Sequence, residues 1–257
     1  MQEQFEAPDS PRTAVLWMLF GSFCFGSMNA VVKWTSEHAD VWMIIMVRSA
    51  VIAFAVAAFA ASRGISLKIN NRKIMFLRCA VGLTAMVLYF TALARISIGQ
   101  AVTLQYTAPL FVALLSGKVL AEKVSAGVTL LVITAFAGII LIVSPDLGTI
   151  EPDALIALGS GFFAALAYMY VRELRTTDSP TSVVFWFAIA SVAGSIVQAA
   201  PDLFSLDTKT LAALVGIGIG AGGGQVGITM AYQSANAAWV SAFSYFTVIV
   251  AVFYGFI

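Results

Sequence analysis

Between Arg78 and Glu122 the chain reads RCAVGLTAMVLYFTALARISIGQAVTLQYTAPLFVALLSGKVLAE, and this stretch leaves few folds open. Two apolar runs, about 79–94 and 98–115, meet at a minimal polar break, Arg95–Ser97. Each run approaches the roughly 20 residues that a helix needs to cross a bilayer core at 1.5 Å of rise per residue. So short a break forces the two helices to run antiparallel. The second carries Gln105, Tyr106 and Pro109 at mid-depth. A proline there removes one backbone donor and frees a carbonyl, which lipid tolerates only where protein or water satisfies it. The expectation is a polar, broken helix that walls a cavity.

Composition places the rest of the chain in the same class. Of 257 residues, 60% are apolar and 11% charged, too little charge to cover an ordinary soluble domain. A net charge of +1 leaves no nucleic-acid footprint. Cys24 and Cys79 both fall inside apolar runs, which argues against a disulfide framework or a metal site. Hydropathy gives nine spans, at about 14–34, 41–62, 74–94, 98–118, 125–143, 154–172, 181–200, 211–231 and 237–257. Residues 1–13 form a hydrophilic tail. The breaks carrying Arg63, Lys68, Arg72 and Lys73, then Lys118 and Lys123, then Arg172 and Arg175, are the basic ones. They lie on the tail's side, which predicts a cytoplasmic N-terminus in a bacterial-type inner membrane.

A shift of 139 residues superposes the spans in order. Phe23 falls on Phe162, Val32 on Val171, Lys33 on Arg172, Ala92 on Ala231 and Tyr106 on Tyr245. A unit of five helices is odd, so its second copy is inverted in the membrane. Inverted repeats are a common construction of secondary transporters, with the substrate site near the midplane. The expected units are 14–143 and 154–257. The same shift predicts a tenth helix at about 264–282, beyond Ile257, as though the second unit were cut after its fourth helix.

Gly82 followed by LYFTALARI, then Gln100–Ala101, TAPLF at 107–111 and LAEKV at 120–124 resemble the EamA-type permeases of the drug/metabolite transporter superfamily. Arg48 also matches an arginine of that family. The resemblance covers the whole chain as two EamA-like halves. It implies an all-α membrane fold of ten helices, a duplicated five-helix unit, and a central cavity lined by spans 1, 3, 4, 6, 8 and 9. Two departures stand out: Val248 replaces the counterpart of Pro109, and the counterpart of Glu122 lies past the end.

Arg48 is the sharpest candidate, about 10 Å into the second span. A guanidinium there either clamps a substrate carboxylate or phosphate, or snorkels to the near interface. Gln105 and Tyr106 correspond to Ser244 and Tyr245, and Asn29 to Tyr168; these pairs either line the cavity or bond between helices. Tyr89, Gln225 and Trp239 are weaker members of the same set. Pro109 marks a kink. Gly218, Gly220, Gly222 and Gly224 sit in a glycine run that contains G-x-G-x-x-G, yet no strand precedes it, so helix packing is expected rather than a dinucleotide site. Trp17, Trp34 and Trp42 read as interface anchors, His38 as solvated, and Glu122 as a cap or ion-pair partner.

All 13 Asp and Glu residues fall in the tail or the breaks. Carboxylates within the membrane are the usual proton relays, so their absence argues against carboxylate-coupled antiport. No nucleophile, base and acid set suits an enzyme, and no cofactor or metal is called for. The expected partners are a small-molecule solute and the lipid bilayer, with a homodimer left open. The expected role is transport of a small polar or amphipathic metabolite by alternating access. A non-transporting sensor or scaffold is the alternative.

Overall fold

A computed structural model describes residues 10–120, 125–143, 152–202 and 206–255. Residues 1–9 of the expected tail, Glu122 and residues 144–151 of the acidic break fall outside the described residues, while 11–13 belong to α1. Among those described, every regular element is a helix. In order they are α1 (Pro11–Thr35), α2 (Val41–Arg63), α3 (Arg72–Arg95), α4 (Ile98–Gln105), α5 (Ala108–Val119), α6 (Ala126–Val143), α7 (Pro152–Leu174), α8 (Pro180–Ala199), α9 (Thr208–Ser234), α10 (Ala237–Ser241) and α11 (Phe246–Gly255). Short 3-10 turns at Ala200–Asp202 and Ala242–Tyr245 complete the order.

Eight stretches among the described residues are long and apolar enough to cross a membrane, and α6 adds a shorter apolar one at Ala126–Gly138. The surface has the apolar character a bilayer requires. Phe54, Phe76 and Val197 are more than 70% exposed, while Ser160, Ser191 and Thr247 are fully buried. Water would reject the former, and lipid accepts them.

Helix ends are fixed by ordinary capping chemistry. Asp40 accepts from the Trp42 amide at 2.8 Å, and Gly64, at φ 62°, closes α2 in the left-handed conformation that favours glycine. Asn71 caps α3 and Ser97 caps α4 in the same way. Because α3 begins at Arg72 and α7 at Pro152, these helices extend up to two residues earlier than hydropathy placed them.

Side-chain locks assign the ends to two sides. Asp178 accepts from the amides of Asn70 (2.6 Å) and Asn71 (3.2 Å), and Trp186 Nε1 donates to the Leu67 carbonyl at 2.7 Å. The α2–α3 and α7–α8 connections therefore share a side. Ser10, before α1, donates to the Ser234 carbonyl at the end of α9. At the opposite face Lys33 Nζ bonds the carbonyls of Leu93 and Ile96, and Arg95 pairs with Asp153 at 3.0 Å. Thus α1 starts on one side and α7 on the other.

The most extensive packing joins α1 to α9, α3 to α7 and α2 to α8. Glycines set the α1–α9 approach. A Cβ on Gly227 would stand 2.7 Å from the Gly21 backbone, and one on Gly224 2.7 Å from the Phe25 ring. Gly218 faces Val51, Gly220 faces Met28, and Gly222 faces Ile52. The whole run lies inside one continuous helix. Gly227→Ala is expected to destabilise the protein by about 1–3 kcal/mol through overpacking. Gly216→Ala meets nothing within 4 Å and should leave stability equal or slightly higher. Differential scanning fluorimetry in detergent reads both.

Candidate functional site

Where α1, α2, α3, α7, α8 and α9 converge on the α4–α5 break, they enclose a cavity of about 100 Å³. That holds roughly three waters at 30 Å³ each and is smaller than the usual ligand pocket.

The break is built from the sequence upward. Pro109 stands in the first turn of α5 and denies the Gln105 carbonyl its helical partner. The helix stops at Gln105, Tyr106 and Thr107 turn, and Thr107 Oγ1 takes the Leu104 carbonyl at 2.7 Å. Gly161 of α7 presses against this turn, where its Cβ would meet the carbonyls of Leu104 and Gln105 at 3.0 and 2.9 Å. Gln105 and Tyr106 are thereby aimed into the cavity, and Ser160 Oγ donates to Gln105 Oε1.

Arg48 does not snorkel. It is 4% exposed, lines the cavity and contacts the Met86 sulfur through Nη1. The Phe90 ring lies 5.6 Å from its guanidinium, and its Nε has no hydrogen-bond partner. A second arginine joins it. Arg78 of α3 is 2% exposed, stacked 3.9 Å over Phe187, with Nε and Nη1 unpartnered. Its Nη1 runs along its own helix to Gly82, occupying the space of a missing Cβ. Arg48 Nη1 meets Met86 and Arg78 Nη1 meets Gly82, one turn earlier on α3, so both guanidinium groups lie along the same helix face. Neither can be deprotonated, so two like charges share one buried site and repel each other. No described carboxylate lines the cavity to offset them.

The remaining wall is neutral. Tyr168 lines it and stacks on Tyr232 at 4.8 Å. Tyr89 and Asn29 also line it, with the Tyr89 hydroxyl and Asn29 Oδ1 unpartnered. Gln225 reaches the cavity from α9 and donates to Thr229 Oγ1 at 3.5 Å.

Three expected residues stand elsewhere. Ser244 Oγ bonds the Ser241 carbonyl of its own segment at 2.7 Å. Tyr245 lies behind Tyr106, with ring centroids 6.5 Å apart. Trp239 packs on Phe243, 5.0 Å away. The ninth span thus supplies none of the lining, whereas α2 and α8, absent from the expected set, supply Arg48 and Phe187. The span still breaks without a proline: Ala242–Tyr245 is a 3-10 turn, at the level equivalent to the α4–α5 break. Ser241 and Ser244 hydroxyls bond back to carbonyls within it, a pattern that bends helices. Of the residues read as peripheral, Trp17 lines a second, lipid-facing groove, and His38 is exposed and stacked on Trp34 at 4.5 Å.

Arg78 is the residue that sequence reasoning missed. With the third span begun at 74, an arginine at 78 looks like an end charge. The Asn71 cap starts the helix at Arg72, two residues earlier, so Arg78 stands about half a turn farther from the helix end than hydropathy placed it. The available signal was an arginine flanked by FL and CAVG, apolar on both sides.

The profile of the EamA-like transporter family matches residues 12–144, more than half of the chain. The chain belongs to the EamA-like transporter family. It is similar to the pseudopaline exporter CntI of Pseudomonas aeruginosa, at 27% identity over 94% of this chain and 86% of that protein. It is also similar to a riboflavin transporter of Vibrio cholerae, at 26% identity over 91% and 81%. A crystal structure 18% identical to it superposes with a TM-score of 0.79, covering 95% of this chain and 87% of the other, so the fold is shared. This family member is a multi-pass membrane transporter, not an enzyme.

An uncompensated buried charge burdens the empty protein. Replacing it by an apolar side chain of similar length removes that burden. Arg78→Met is expected to stabilise the ligand-free protein by about 1–3 kcal/mol, the reverse of most buried substitutions. Thermal unfolding in detergent without added solutes measures it.

Proposed function

We propose that the protein moves a small polar or amphipathic metabolite across the bacterial-type inner membrane by alternating access. The moving parts are two inverted units, 14–143 and 154–257, with the N-terminus in the cytoplasm. The observation that carries this reading is a single cavity to which both units contribute polar side chains: Asn29, Arg48, Arg78, Tyr89, Gln105 and Tyr106 from the first, and Tyr168 and Gln225 from the second. A cavity formed by both units opens to whichever side they rock away from.

The helix pairing supports the inversion. Exchanging the units maps α1 against α9 onto α7 against α3, and α2 against α8 onto itself, the three pairings with the most extensive packing. The opposite starting sides of α1 and α7 support it too. The orientation is supported by the cluster of Arg63, Lys68, Arg72 and Lys73 on the face that also holds Arg175. The relatives named as exporters or transporters of pseudopaline and riboflavin support an organic solute. Buried Arg48 favours an anionic group on it. The stacked Tyr168–Tyr232 pair offers a flat surface for a planar or apolar portion.

Counterflow in proteoliposomes tests the reading, with radiolabelled amino acids, carboxylates and vitamins inside and out. Saturable exchange of at least one solute is expected. Arg48→Gln should reduce it by about tenfold or more, the loss of one charge-assisted contact. Arg63→Gln, exposed at the end of α2, should leave it unchanged. If every solute leaks at the rate of empty vesicles, transport is excluded and a sensor or scaffold takes its place.

A further inference from the structure

The two cavity arginines are both unsatisfied, and their surroundings restrict what satisfies them. Phe187 covers one face of the Arg78 guanidinium at 3.9 Å, and the Phe90 ring lies 5.6 Å from that of Arg48. Aromatic rings engage the flat face of a guanidinium and leave its N–H edge free. The orphaned atoms are on that edge: Nε of Arg48, and Nε and Nη1 of Arg78. The weak thioether acceptor of Met86 is the hydrogen-bond partner recorded for Arg48.

Charge points the same way. Both side chains are more than nine-tenths buried, and no described carboxylate lines the cavity. A guanidinium keeps its proton in proteins, so neutralisation has to come from what binds. A single monoanionic group, even one that bridges both guanidinium groups, neutralises one positive charge and leaves the other. The 139-residue repeat adds a third observation. Phe187 occupies the counterpart of Arg48, and Ile217 that of Arg78. The positive charge therefore belongs to one unit and one end of the cavity, facing a neutral wall of Tyr168, Gln105 and Tyr106.

We infer that the solute is a small organic dianion, one anionic group on Arg48 and the other on Arg78. This rests on the transport reading of the cavity and narrows its substrate class. Arg78 is then a specificity-determining residue: Arg48 selects for an anion, and Arg78 selects for a second charge. The Tyr89 hydroxyl and Asn29 Oδ1 remain for polar groups on the solute body.

Thermal-shift titration of the full chain in detergent tests this with a matched series. The probes are butyrate, succinate, glutarate and adipate, with inorganic phosphate and sulfate as the inorganic anions. At least one dicarboxylate is expected to bind about tenfold or more tighter than butyrate, with an optimum in chain length. Arg48→Gln and Arg78→Gln should each reduce that dicarboxylate to the affinity of butyrate, while Arg63→Gln should not. Binding should weaken as pH falls through the dicarboxylate's own second acid dissociation, since the arginines do not titrate there. Should Arg78→Gln fail to fold, Arg78→Lys and Gly82→Ala replace it. Lysine keeps the charge and loses the fork, and a Cβ at position 82 displaces Nη1; both should lower the dicarboxylate preference several-fold.

Butyrate or a neutral solute binding as tightly as every dicarboxylate, unmoved in Arg78→Gln, overturns the inference. So does phosphate or sulfate binding tighter than all organic probes, or a folded protein that no dicarboxylate stabilises. Counterflow of the same probes separates the two proposals. A dicarboxylate bound through both arginines but not exchanged keeps the dianion site and removes transport. Exchange of a monoanionic or neutral solute that Arg78→Gln does not alter removes the dianion and keeps transport.

Discussion

Lipid has no hydrogen bonds to offer, and that single constraint orders the molecule. Each backbone amide and carbonyl within the bilayer must be paired inside the protein, so the described segments are helices. Departures are confined to places where protein supplies the missing partner. The α4–α5 break is covered by Gly161 of α7 and closed by Thr107 Oγ1 on the Leu104 carbonyl. The 3-10 turn at Ala242–Tyr245 is supported by hydroxyls of its own segment. Irregular backbone at membrane depth is thus tied to the interior, and one of the two breaks forms a wall of the cavity.

Close helix approach follows from the same constraint. Hydrophobicity cannot drive helices together when lipid is equally apolar, so contact area and small residues do it. Gly21 and Gly227 bring the α1 and α9 backbones together, and Gly224 receives the Phe25 ring. Polar locks at the ends then fix depth and side: Asp178 on the Asn70 and Asn71 amides, Lys33 on the carbonyls ending α3. Between those locks the interior carries serines, threonines and two arginines.

Those arginines work against stability. Two buried guanidinium groups that line one cavity repel each other and lack full hydrogen bonding. Such an arrangement persists where a ligand relieves it. On the proposed reading, the cost is borne by the empty state and recovered when an anion binds.

The sequence by itself determined the class, the order of spans and much of the lining. Long apolar runs with short polar breaks permit one solution in lipid, and Pro109 dictates a break at Gln105–Thr107. Seven of the ten candidate lining residues, Arg48 and Gln105 among them, do line the cavity. They were legible because a polar side chain in an apolar run has few places to go. Only the tertiary structure decided which faces turn inward. A hydropathy window averages over all faces of a helix, so it cannot tell Tyr106, which faces the cavity, from Tyr245 behind it. It also cannot see that the helix capped by Asn71 starts two residues earlier, which leaves Arg78 buried inside it rather than at its end. The meeting of Arg78 with Arg48 joins residues 30 positions apart through side-chain direction, and no local pattern encodes that.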